Sequence, residues 1–110
     1  MCGAWLKDEA HVNAVGAVGA RAREVDDDVM KKAVVVVESR EAALREAGEI
    51  AHSGAQIYAE LGELLAGMRP KPPGRTTIFK SLGIAVEDVA AGELVYRLAT
   101  AAMAGQDGPA

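Results

Sequence analysis

Cysteine occurs once, at Cys2, so the chain can form no internal disulfide and supports neither a four-cysteine zinc site nor a two-cysteine redox pair. An intracellular, reducing, cytoplasmic location is the expectation. Aromatic residues are 4% of the chain, leaving Ala, Val and Leu to supply the apolar mass, a palette that suits helices laid on a buried sheet. Acidic residues outnumber basic ones and the net charge is -4. No broad positive field is available for phosphates, which excludes nucleic-acid binding as a first reading. Lys31, Lys32 and the basic residues from Arg69 to Arg75 are local exceptions that mark a solvated face or loop. The longest apolar run, Ala33 to Val37, falls far short of the roughly 20 residues that span a bilayer, and no signal stretch opens the chain. No membrane partner is expected. Nor does any G-x-G occur, so the glycine fingerprint that lets a backbone approach a dinucleotide pyrophosphate is missing.

What is present fits one domain or less: 110 residues, half apolar and a quarter charged, enough to pack a core. Residues 11–16, HVNAVG, read as a buried strand entering a tight turn. Asp26, Asp27 and Asp28 suit a helix N-terminus, and Lys31 and Lys32 its far end, which predicts a short helix. The β-branched run to Val37 predicts a strand covered on both faces, as in a parallel sheet. Ser39 can cap the following helix, which Gly48 interrupts or ends. Ile57 to Ala66 reads as a further helix ending at Gly67, and the proline-rich stretch 68–74 as a connector. Thr76 to Lys80 reads as a third strand, residues 81–83 as a turn, and Ile84 to about Met103 as a long helix with an apolar stripe of Val86, Ala90, Leu94, Leu98 and Ala102. Residues 105–110 are expected to fray. The order β-α-β-α-α-β-α predicts an α/β fold with parallel strands and right-handed crossovers.

Ligands of open α/β sheets bind beyond the carboxyl ends of the strands, which singles out Val15 and Gly16, Glu38 and Ser39, and Lys80 and Ser81. At Ser81 a hydroxyl and free backbone N–H groups could meet an amide or carboxylate, although on spacing alone an ordinary helix cap is the simpler reading. Gly16-Ala17-Val18-Gly19 is a lone G-x-x-G, better read as a turn than as a phosphate loop. Glu46, Glu49, Glu60 and Glu63 offer carboxylates, but helical glutamates at such spacing are mostly solvated and form no evident acid/base dyad. His11 and His52 lack metal-ligand spacing, and no metal site is expected. No G-x-S-x-G supports a serine nucleophile.

Four segments, HVNAVGA at 11–17, the stretch from Arg23 to Ile50, IYAELGELLAG at 57–67, and TTIFKSLGIAVEDVAAGELVY at 76–96, resemble the ornithine cyclodeaminase / mu-crystallin family, and within it the ketimine-reducing mu-crystallin type. Phe79 to Asp88 is the most specific piece. Members are about three times this length, and the resemblance implies a partial Rossmann-like fold: the C-terminal half of a parallel sheet with flanking helices, plus a long C-terminal helix. On that basis residues 1–83 are the C-terminal portion of a Rossmann-like NAD(P)-binding domain, and residues 84–110 a helix and tail for packing or dimerisation.

The resemblance also implies NADPH or NADH as cofactor, a small imino or amino acid as substrate, and a homodimer. It makes Val15 a wall of the nicotinamide pocket, Ser81 a contact to the nicotinamide end, and Glu46 a ligand-contacting carboxylate, with no catalytic residue carried over. Cyclodeaminases of the family carry an aspartate in the loop after NAVG. Here that loop is Ala17 to Ala22 and no aspartate occurs before Asp26. The expectation is therefore an NAD(P)H-dependent imine or ketimine reductase, with an ornithine cyclodeaminase-type ammonia lyase or a non-catalytic binding module as alternatives, and no turnover by the 110-residue fragment alone.

Overall fold

The computed structural model describes residues 1–72 and 74–104; the expectation of fraying at 105–110 lies outside them. Four short strands, β1 (His11–Ala14), β2 (Val34–Val37), β3 (Ile57–Glu60) and β4 (Thr77–Lys80), form one sheet in the order β1-β4-β2-β3. All three pairings are parallel. The helices are α1 (Asp27–Lys32), α2 (Arg40–Glu46), α3 (Gly48–Ser53), α4 (Leu61–Leu65) and α5 (Ala85–Ala104), preceded by a 3-10 turn at Gly3–Trp5. The expected α/β architecture with a long C-terminal helix is what the chain adopts.

Local chemistry accounts for most element ends. Asp26 caps α1 by accepting from the Val29 N–H at 3.0 Å, with Asp27 and Asp28 in the first turn and Lys31 and Lys32 in the last, the charge order that the helix dipole favours. Ser39 caps α2 by accepting from the Ala42 N–H. Gly48 does break the helical run: Ala47 ends α2 and begins α3. A β-carbon on Gly48 would lie 2.3 Å from the Ala22 carbonyl oxygen, so only glycine lets this backbone pass the loop after β1.

One expectation is corrected. Residues 57–66 are not one helix but β3 followed by α4, so the sheet has a fourth strand. Ile57 and Tyr58 are good strand formers. Glu60 ends the strand and caps α4, accepting from the Glu63 backbone while its own N–H donates to Glu63 Oε2 at 2.8 Å.

All four residues of β2 are buried, as expected of a central strand. The core gathers Val12, Ala14, Ile78, Val35 and Val37 from the sheet with Val29, Met30, Ala43, Ala47 and Ile50 from α1 to α3. Those alternate positions share one sheet face. On the other, His11 and Asn13 are exposed and Thr77 and Phe79 half-buried. α5 buries none of its residues, so its predicted stripe is helical but unpaired. No described helix is long and apolar enough to cross a membrane.

Candidate functional site

Strand register builds the site. Ala14, Lys80 and Val37 lie side by side at the ends of β1, β4 and β2. The next residues, Val15, Ser81 and Glu38, therefore form a row across three adjacent strands. Ser81 N–H donates to the Ala14 carbonyl at 3.0 Å, which sets Ser81 directly beside Val15. Val15 itself is 63% exposed, an apolar surface open above the sheet.

Glu38 organises the turn after β4. It accepts from the Ser81 hydroxyl, from the Leu82 N–H at 2.8 Å and from the Gly83 N–H at 3.1 Å. The expectation of free backbone N–H groups around Ser81 is thereby overturned: those of Ser81, Leu82 and Gly83 are all committed. Ser81 is not a helix cap either, since α5 begins at Ala85. With its hydrogen directed at Glu38, Ser81 Oγ retains acceptor capacity only.

Behind this row lies a buried charge cluster. Lys80 is fully buried, and its ammonium donates to the Ala17 carbonyl at 2.6 Å and to Glu24 at 2.8 Å. Glu49 Oε1 lies 3.8 Å from the same nitrogen and accepts from the Glu24 N–H at 2.7 Å. Glu24 in turn accepts from the Gly16 N–H. Partial burial opposes ionisation of Glu24, but the Lys80 hydrogen bond and charge and the Gly16 N–H outweigh it and hold its pKa below the ordinary value. Glu49 is fully buried, which corrects the reading of it as a solvated helical glutamate. Its Oε2 has no hydrogen-bond partner among the described residues.

Glu46 sits apart from the row. Its backbone carbonyl accepts from the Gly19 N–H at 2.9 Å, tying α2 to the loop after β1, while its carboxylate pairs with Arg45 at 2.7 Å. Among the described residues, no hydrogen bond or ion pair joins Glu46 to Val15 or Ser81. His11, exposed on the edge strand, bonds Thr77 Oγ1, and no group of three metal-ligating side chains occurs among the described residues. A cavity of about 590 Å³ opens elsewhere, at the N-terminal ends of β2 and β3, and includes none of these site residues.

Strand position pointed to Val15, Glu38, Lys80 and Ser81. It missed Glu24 and the burial of Glu49, because neither residue ends a strand. The only signal in the sequence was a lysine as the last residue of a strand with no other charged residue.

Comparison with known proteins decides the family. The model of the ornithine cyclodeaminase/mu-crystallin family matches residues 1–102. The chain belongs to that family. It is 56% identical over 94 residues to ketimine reductase mu-crystallin of Rattus norvegicus, covering 86% of this chain and 30% of that protein. Among solved structures it resembles Thermococcus litoralis Δ1-pyrroline-2-carboxylate reductase in complex with NADH and L-proline, with TM-score 0.79, 37% identity, and coverage of 88% of this chain and 33% of that one. An archaeal alanine dehydrogenase dimer with bound NAD gives TM-score 0.77 and 33% identity, covering 92% of this chain and 34% of that one. The chain thus spans about a third of the length of these family members.

Proposed function

We propose that these residues supply the nicotinamide end of a dinucleotide site in an NAD(P)H-dependent reductase of small cyclic imino acids. The observation that carries the reading is the row at the strand ends, where an exposed Val15 adjoins a Ser81 whose hydroxyl hydrogen is already committed to Glu38. An apolar wall suits one face of a nicotinamide ring. An oxygen with only acceptor capacity suits the amide N–H groups of its carboxamide. NADPH or NADH, when bound, supplies the hydride; the protein residues orient the ring against a C=N carbon and exclude water.

One relative, at 56% identity, is a ketimine reductase, and another, at 37%, is a pyrroline-2-carboxylate reductase, which supports imine reduction as the reaction class. The loop from Ala17 to Ala22 lacks the aspartate of cyclodeaminases, which weighs against ornithine cyclisation. In this reading Glu46, whose Oε1 is held by Arg45, meets ligand through its other carboxylate oxygen. The exposed apolar residues of α5 then serve packing or dimerisation, in line with the dimeric alanine dehydrogenase neighbour.

The test is NADH and NADPH oxidation by the full-length protein carrying this chain, followed at 340 nm with Δ1-pyrroline-2-carboxylate and larger cyclic ketimines. Consumption with at least one of them is expected, with ornithine giving no ammonia. Dinucleotide binding without oxidation by any cyclic imine would overturn the assignment.

A further inference from the structure

Lys80 links the end of β4 to the loop after β1, and its setting differs from that of a lysine on a surface. It is the residue directly before Ser81, on the face of β4 shared with Ile78, and it is fully buried. Its ammonium reaches the first turn of the loop after β1, where it grips the Ala17 carbonyl at 2.6 Å. Through Glu24, held at 2.8 Å, it also grips the Gly16 N–H, which donates to Glu24 at 2.9 Å. Both polar groups bordering the Gly16–Ala17 segment are thus fixed by one cation. A β-carbon on Gly16 would stand 2.9 Å from Glu24 Oε2, so the carboxylate is closed tightly over this backbone. Glu49 completes the clamp by accepting the Glu24 N–H.

We infer that Lys80 is a positioning residue, one that fixes Val15, through the Gly16–Ala17 peptide and Glu24, at a set distance from Ser81. The inference rests on the proposed reading of Val15 and Ser81 as the two sides of the nicotinamide end. Buried ion pairs seldom add much net stability, since desolvation offsets the Coulombic attraction. A clamp that registers two halves of a ligand site gives this one a role that stability alone does not.

The experiment compares Lys80→Met, Lys80→Arg and Glu24→Gln in the full-length protein by two readouts. Hydrogen exchange followed by mass spectrometry reports the loop on peptides spanning residues 12–24, with peptides over β2 and β4 as the folding control. Steady-state kinetics report kcat and the KM for dinucleotide separately. In Lys80→Met we expect faster exchange in the loop with β2 and β4 still protected, and a fall in kcat on the order of 100-fold with little change in KM, the signature of a misplaced reacting group. Lys80→Arg should restore part of kcat. Glu24→Gln should loosen the loop more mildly.

An unchanged loop exchange or an unchanged kcat in Lys80→Met would sink the inference. So would loss of protection throughout the sheet in both Lys80→Met and Glu24→Gln, which would make the cluster a stability element only. If the wild-type protein oxidises no dinucleotide with any cyclic imine, the proposed function falls instead. The clamp is then judged on loop exchange alone.

Discussion

At Glu24, partial burial favours the neutral acid, while the Lys80 hydrogen bond and charge and the Gly16 N–H favour the carboxylate and prevail. A pKa depressed in the folded state means that stability from this group is fully present above its unfolded pKa, near 4.5, and is lost as pH falls through the lower folded value. The urea midpoint should therefore decline below about pH 4.5. Glu24→Gln should lower the midpoint at pH 7 and flatten that decline; parallel curves for the two proteins would rule out the Lys80–Glu24 pair as its source. Asp26, whose pKa is lowered by the Val29 and Gly3 N–H groups, adds a second acid-sensitive contribution in the same direction. Gly48 offers a test independent of charge. An alanine there gains up to about 1 kcal/mol in helix propensity. Its β-carbon, however, would meet the Ala22 and Ala20 carbonyl oxygens at 2.3 and 2.9 Å, and backbone crowding costs about 1–3 kcal/mol. Gly48→Ala is expected to be destabilising in thermal unfolding, with a midpoint several degrees lower; an unchanged or raised midpoint would show that the loop yields.

Elements with a strong local signal were legible, and those decided by competition were not. Four consecutive valines can hardly be anything but a buried strand, and Asp26 and Ser39 announce the helices they cap. Residues 57–66 carry two messages. Ile57, Leu61, Leu64 and Leu65 repeat at helical spacing, which hid the strand preference of Ile57 and Tyr58. The boundary is drawn by Glu60 and Glu63, a capping box using glutamate where serine or threonine is the usual sign. The site divides the same way. Strand ends are a rule of topology, so Val15, Glu38, Lys80 and Ser81 were accessible to it. The meeting of Lys80 with Glu24, 56 residues away, depends on the path of the loop after β1, which no periodicity encodes. In α5 the stripe was readable, but Val89, Val95 and Tyr96 lie off it and are also exposed and apolar. The isolated chain is accordingly expected to self-associate. Replacing Leu94 and Leu98 together by glutamate should shift sedimentation towards monomer without loss of helical signal, since both residue types favour helix. Unchanged self-association would move the contact to the exposed strand edges of the sheet.

For the molecule as a whole, the location of the site on the sheet limits what 110 residues can bind. Tight dinucleotide binding draws on pyrophosphate contacts at a glycine-rich turn and helix N-terminus, and no G-x-G occurs in this chain. On the proposed reading it offers Val15 and Ser81, one apolar wall and one acceptor. Neither reaches a phosphate, because the N–H groups of Ser81, Leu82 and Gly83 that would bind an anion are occupied by Ala14 and Glu38. The isolated chain should then not distinguish a whole dinucleotide from its nicotinamide half. We expect NADPH, NADH and reduced nicotinamide mononucleotide to bind with similar Kd values of about 1 mM or weaker, corresponding to no more than about 4 kcal/mol. ADP-ribose should give no measurable heat in calorimetry. Submillimolar NADPH binding that the mononucleotide failed to match would reveal a phosphate contact within these residues, and the row at the ends of β1, β4 and β2 would then be more than the nicotinamide end.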